Sequence, residues 1–191
     1  MKIIYFGSTE DSIYTLDILK KNNFEIFAIF TKTSKSLRRG QNTNLTSIEN
    51  YAIKNKISIN KPPSLKNDNE LIRYFRKTKA DIFIVSSYGI IIPKEILEIP
   101  KYGAINIHPS LLPKFRGPSP VASAILAGEK FTGVTIMKID ENMDTGPILE
   151  KSDEVSIALD DSATVLQKKL FRLGSDMLPH ILRNIEEGNQ S

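Results

Sequence analysis

The chain has 191 residues, 40% of them hydrophobic and 25% charged, the profile of one domain able to bury a substantial core and not of a disordered segment. It holds no cysteine and only two histidines, His108 and His180, which excludes disulfides, thiolate catalysis, cysteine zinc sites and a multi-histidine metal cage. Its net charge of +4, from 26 Lys and Arg against 22 Asp and Glu, suits an anionic partner but is too slight to imply nucleic acid.

Residues 2–6 read as a short apolar strand running into the turn Gly7-Ser8-Thr9, followed by a helix over 11–21 with Ile13, Leu16, Ile18 and Leu19 toward the core. Residues 25–31 are apolar enough for a buried parallel strand. Lys32, Lys35, Arg38 and Arg39 then fall together without an acidic residue, a pattern that by itself describes a solvated loop. A helix is predicted over 46–54, a short strand over 57–59, a helix over 68–77 and a strand over 81–86. Strands alternating with helices argue for a parallel α/β sheet, whose ligands bind beyond the carboxyl ends of the strands. The loops at Gly7, at 31–44 and at Ser87-Tyr88-Gly89 should therefore share one edge with Asn106 and His108, which follow a strand predicted over 103–105.

A helix over 121–127 should end at Gly128. Residues 133–139 alternate as a strand, with 147–155 as its antiparallel neighbour across an acidic turn at 140–146. Apolar residues at helical spacing fill 162–187, where Pro179 should kink or split the helix. No apolar stretch nears the roughly 20 residues of a membrane helix. Residues 1–7 lack the apolar region and cleavage site of a signal peptide, so a cytoplasmic protein is expected.

Asn106 and His108 stand two residues apart, so in a strand they share a face and present an amide donor beside a titratable base. Pro109 follows at once, and the pairing suits chemistry at a carbonyl. Gly7-Ser8-Thr9 lacks both the dinucleotide glycine pattern and the phosphate-loop lysine; a tight turn exposing backbone N–H groups near a substrate fits better. His180, after Pro179 in an amphipathic helix, reads as structural or surface.

Asn106-Ile-His108-Pro-Ser-Leu-Leu-Pro-Lys-Phe-Arg-Gly117 resembles the signature of the 10-formyltetrahydrofolate-dependent formyltransferases, and residues 132–149, containing Asp144, resemble the same family. The likeness runs over essentially the whole chain. It implies a Rossmann-like, mostly parallel twisted sheet flanked by helices, with Asn106, His108 and Asp144 as the catalytic set and no metal. The run 87–100, the basic segment 30–41 and the Thr-Ile-Met spelling before the acidic turn resemble the branch that formylates initiator methionyl-tRNA in translation initiation. Where that branch has Gly-Thr-Pro, this chain has Gly7-Ser8-Thr9. The resemblance implies a monomeric catalytic domain, with the branch's C-terminal tRNA-binding β-barrel absent from these 191 residues.

By the same resemblance, the folate donor would lie against Tyr88, Gly89, Ile90 and Ile92, beside Ser110, Leu111, Leu112 and Pro113, and against Asp140, Glu141 and Asn142. Gly7, Ser8 and Thr9, with Lys35, Arg38 and Arg39 on phosphates, would face the tRNA acceptor. Asn106 and His108 would donate to the oxyanion of a tetrahedral intermediate while Asp144 orients the ring and helps accept the amine's proton. Rival expectations keep the site and change the acceptor to an amino-sugar nucleotide, glycinamide ribonucleotide or water. A non-enzymatic folate- or RNA-binding domain would not require all three polar residues.

Overall fold

The structure, a computed structural model, describes residues 1–33 and 45–189. The chain opens with β1 (Lys2–Gly7), α1 (Asp11–Lys21), β2 (Glu25–Phe30), α2 (Ser47–Lys54) and β3 (Ser58–Asn60). It continues through α3 (Asn69–Thr78), β4 (Ile82–Ser86), α4 (Lys94–Leu97), β5 (Ala104–His108) and α5 (Pro120–Leu126). Four short strands follow, β6 (Phe131–Thr132), β7 (Thr135–Lys138), β8 (Ile148–Lys151) and β9 (Val155–Ser156), before the long α6 (Ala163–Glu186).

Seven strands form one sheet in the order β3-β2-β1-β4-β5-β7-β8, parallel through β5 and antiparallel at β7 and β8. The central strands are covered on both faces, which is why they read as unbroken apolar runs. One face carries Ile3, Tyr5, Ile29, Ile84, Ile105 and Ile107 against Leu170, Leu178 and Leu182 of α6. The other carries Ile4, Phe6, Phe30, Phe83 and Ala104 against Phe75 of α3 and Ile96 of α4. There the Phe6 ring centroid lies 5.0 Å from Phe30, 5.2 Å from Phe83 and 5.3 Å from Tyr88. The order steps outward from β1 to β3 on one side and from β4 onward on the other, so the sheet changes direction between β1 and β4. At such a point the loops diverge and leave a crevice beyond the strand ends.

Several predicted bounds move for identifiable reasons. Thr46, Asp68 and Ser162 are N-caps, not first helical residues: each side chain accepts backbone N–H groups of the first turn. In α1 it is Ser12 and Thr15 that turn inward with Leu16 and Leu19, while Ile13 and Ile18 are partly exposed. β3 starts one residue later than predicted, and β5 runs on to include Asn106 and His108. The predicted partner of β7 divides in two, β8 pairing with β7 and β9 with β6 in a separate two-stranded ladder. α6 runs unsplit through Pro179, because Leu178, Ile181 and Leu182 are buried around it. Burying each such side chain stabilises by about 1.5–3 kcal/mol, together enough to offset the roughly 3 kcal/mol of an internal proline. Gly128, with φ +69, closes α5 as expected.

Candidate active site

β5 delivers the two residues that opened the chemical argument. Asn106 lies between Val85 of β4 and Met137 of β7, and His108 is paired with Thr135. Ile105 and Ile107 of the same strand pack toward α6, while Ala104 belongs to the opposite face. The alternation therefore puts Asn106 and His108 together with Ala104. Among the described residues no hydrogen bond holds the side-chain amide of Asn106, which is half-buried at the strand end.

His108, 3% exposed, is held from both sides. Its Nε2 lies 3.0 Å from the Phe115 carbonyl. A carbonyl only accepts, so Nε2 carries the hydrogen of that bond. Nδ1 faces Asp144 Oδ1 at 3.6 Å, and the other carboxylate oxygen, Oδ2, accepts from Gly117 N–H at 2.8 Å. One short loop thus fixes both partners through its backbone. Phe115 has φ +56, Gly117 φ +101 and Asp144 φ +54, all in the left-handed region. Asp is among the few side chains that enter that region readily.

The acidic turn bearing Asp144 is closed on itself: the Asp140 carboxylate accepts from Thr145 Oγ1 at 2.8 and 2.9 Å and from Asn142 N–H at 3.0 Å. Gly146 follows because a Cβ there would collide with the Lys138 carbonyl oxygen. On the neighbouring side, Tyr88 is buried beside Phe6, and burial pushes its phenol up to about 12. Its ring belongs to the core, so only its main chain is open to a ligand. Ile90 and Ile92 flank the same core as Ile139, which leads into the acidic turn, and Ile91 is exposed. Lys94 pairs with Glu141 at 3.3 Å across the space between the two segments.

Residues 110–113 are divided. Thr135 Oγ1 donates to the Ser110 carbonyl at 2.7 Å and accepts from Leu112 N–H at 3.1 Å, pinning this turn to β7. The Ser110 hydroxyl donates to Lys114 O at 2.7 Å, and Leu112 is buried. Those two side chains serve the fold, Leu111 packs over Gly133, and Pro113 is exposed.

At the sheet's change of direction, Ser8 joins three strand-end loops. Its hydroxyl donates to Tyr88 O at 3.3 Å and accepts from Lys32 N–H at 3.0 Å. Gly7 is required below it, since a Cβ would meet Ser12 and Tyr5. Thr9 is half-buried with its hydroxyl unpartnered. Lys35, Arg38 and Arg39 lie outside the described residues. His180 is exposed on α6, where its Nε2 meets Asn184 Nδ2 at 3.0 Å.

Asn106, His108 and Asp144 are therefore brought to one edge with the loops after β1, β2 and β4. Sequence patterns did not single out Phe115, Gly117, Thr135 or Lys32 as site groups; Gly117 alone carried a hint, as a glycine ending the loop. The cluster offers a free amide donor beside an imidazole–carboxylate pair, suited to stabilising a developing anion and moving one proton. Among the described residues no group of three or more His, Cys, Asp or Glu could hold a metal, and no helix is long and apolar enough to cross a membrane.

The family model described as Formyl transferase matches residues 1–182. The methionyl-tRNA formyltransferase of Wolbachia sp. subsp. Drosophila simulans (strain wRi) is 44% identical over 187 residues, which are 98% of this chain and 62% of that protein. That of Ehrlichia chaffeensis is 45% identical over 188 residues, 97% of this chain and 61% of that protein. The chain thus spans about three fifths of the length of these relatives. Among solved structures, glycinamide ribonucleotide transformylase 1 from Symbiobacterium toebii superposes with a TM-score of 0.81 at 18% identity, covering 98% of this chain and 88% of that one. Phosphoribosylglycinamide formyltransferase from Bacillus halodurans gives 0.78 at 24% identity, covering 97% and 95%. At such identities the structural likeness establishes the fold alone.

Proposed function

This chain belongs to the formyl transferase family, and from that membership we propose that it transfers the formyl group of 10-formyltetrahydrofolate to the free amino group of initiator methionyl-tRNA. The observation that carries the proposal is the free Asn106 amide beside the His108–Asp144 pair. The choice of acceptor is supported by the 44% identity to a methionyl-tRNA formyltransferase. The proposal entails a cytoplasmic role in translation initiation.

In this mechanism the acceptor nitrogen bonds to the formyl carbon and the carbonyl electron pair moves to oxygen. Asn106 donates a hydrogen bond to that oxygen as its charge develops; one such donor contributes about 3–4 kcal/mol. His108 Nε2–H is committed to Phe115 and Nδ1 faces Asp144, so the proton that the amine loses is taken up by this imidazole–carboxylate pair, directly by the carboxylate or through a water, and is shared with Nδ1. Asp144, fixed by Gly117 N–H, stabilises the resulting imidazolium. The proton then passes to N10 of the donor as the C–N10 bond breaks and the carbonyl re-forms. This division narrows the sequence-based expectation in which ring and amide shared the oxyanion. No bond to the protein forms.

For the donor, residues 88–92 supply main-chain groups and the apolar Ile90, Ile91 and Ile92, with the 140–142 turn opposite. An apolar wall with a few polar anchors fits a flat, partly polar ring. The test is formyl transfer from 10-formyltetrahydrofolate to methionyl-tRNA, glycinamide ribonucleotide, an amino-sugar nucleotide or buffer. Formylation of methionyl-tRNA alone is expected. Preferential use of another acceptor, or donor deformylation in buffer at full rate, overturns the assignment.

A further inference from the structure

We propose that Gly174 is a positioning residue for the reaction, the bare point on α6 that sets the height at which β5 presents Asn106 and His108. This rests on the reaction proposed above. Gly174 stands midway along α6, where glycine is less favourable than alanine because it loses more conformational freedom on folding. Its surroundings explain why no methyl group replaces the hydrogen. A Cβ there would lie 2.5 Å from Ile107 Cγ2, 2.8 Å from Val134 Cγ1 and 3.8 Å from Ile136 Cδ1. All three neighbours are buried, on β5, on β7 or directly before β7.

The position matters because Ile107 stands between Asn106 and His108. Its side chain packs toward α6, while Asn106 and His108 fall on the other face of the strand. Val134 precedes Thr135, which pairs with His108 and braces the 110–112 turn. Both Ile107 and Val134 are β-branched and stiff at χ1, so a γ carbon beside the backbone cannot swing far aside. Carbons in contact sit roughly 3.5–4.0 Å apart, so a methyl group at 174 would drive β5 back by about 1 Å.

The helix is not free to retreat in place of the strand. Ser175 Oγ donates to Phe171 O at 2.6 Å and lies 2.8 Å from Thr15 Oγ1, which donates to it. Tyr14 donates to Asp176 Oδ1 at 2.9 Å. The two residues after Gly174 thus tie α6 to α1, and Leu170 and Leu178 hold it against the sheet. Displacing β5 moves His108 against Phe115 O at 3.0 Å and Asp144 Oδ1 at 3.6 Å. A misplacement of this size can cost on the order of 10²-fold in rate. The main-chain groups proposed for the donor, at 88–92, follow a different strand, so donor affinity is spared.

Steady-state transfer and imidazole nitrogen NMR test this in wild type, Gly174→Ala and Leu182→Ala. The chain has two histidines, so the exposed His180 is an internal reference for the buried His108. Gly174→Ala should lower kcat about 10- to 10²-fold with the KM of donor and acceptor unchanged. It should also shift the His108 resonances and leave those of His180 in place. Leu182→Ala removes buried packing from the same helix without adding an atom beside β5. It should lower the Tm yet keep kcat and both sets of resonances. Adding Ile107→Ala to Gly174→Ala removes the nearer methyl group. The pair should bring His108 and kcat back toward wild type, or restore folding if Gly174→Ala alone lacks it. Unchanged His108 resonances in Gly174→Ala, a KM rise in place of the kcat loss, an equal kcat loss in Leu182→Ala, or no recovery in the double variant overturns the role. The NMR needs no substrate, so a displaced His108 in a protein without formyl transfer would sink the proposed reaction and leave the positioning standing.

Discussion

Asp144 combines two demands on one residue: a left-handed backbone at φ +54 and a carboxylate shared between His108 and Gly117. Asn tolerates that backbone as Asp does. Asp144→Asn should therefore keep the turn and remove the charge that stabilises imidazolium, lowering transfer on the order of 10³-fold with thermal stability unchanged. Single-turnover rates and melting curves check both halves; a lowered melting temperature with a near-normal rate would contradict the role. Gly146 makes the complementary case. Gly146→Ala forces a Cβ onto the Lys138 carbonyl, a main-chain group that cannot swing aside, and should destabilise the protein by about 2 kcal/mol or more. Unaltered denaturant unfolding would contradict that. At this scale Asn106 and His108 were legible because a period of two puts them on one face. The Phe115 carbonyl and Gly117 N–H were not, since backbone groups leave no mark in the residue alphabet.

Elements are held by contacts that decide where they begin. In α2, Thr46 and Glu49 form a reciprocal capping box, and Glu49 also meets Lys61. Chiefly the Lys61 ammonium, and then the Thr46 N–H and hydroxyl, hold the Glu49 carboxyl below its usual range against the opposing effect of burial. A depressed acid stabilises the fold above its unfolded pKa, near 4.3, and the benefit disappears as pH falls through the lower folded value. Glu49→Gln keeps a capping side chain but loses the ion pair. It should be about 1 kcal/mol less stable than wild type near neutral pH. The gap should close below pH 4, as read by urea unfolding at both values; a constant gap would contradict the linkage. Thr135 does similar work for the 110–113 turn, and Thr135→Val would leave the Ser110 carbonyl and Leu112 N–H unpaired. A loss of about 2–3 kcal/mol is expected from denaturant unfolding; a loss under 0.5 kcal/mol would contradict it. Most helices and central strands were legible from periodicity. β6 and β9, two residues each, were too short to alternate, and Pro179 misled because burial on both sides of it is a tertiary property.

At the scale of the molecule, the strand order gathers loops far apart in sequence onto one edge. Ser8, Lys32, Tyr88, Asn106 and Asp144 come from five separate stretches, and only the order β2-β1-β4-β5-β7 makes them neighbours of one crevice. The alternation of elements foretold the parallel sheet; it could not foretell which loop would tie to which. The central proposal, direct formyl transfer by Asn106, His108 and Asp144, is tested most directly by single-turnover transfer of labelled formyl from 10-formyltetrahydrofolate to methionyl-tRNA in wild type and Asn106→Ala. Wild type should place the label on the amino group, and Asn106→Ala should do so about 10²- to 10³-fold more slowly with donor affinity retained. Equal rates in the two proteins, or label released to water by both, would contradict it.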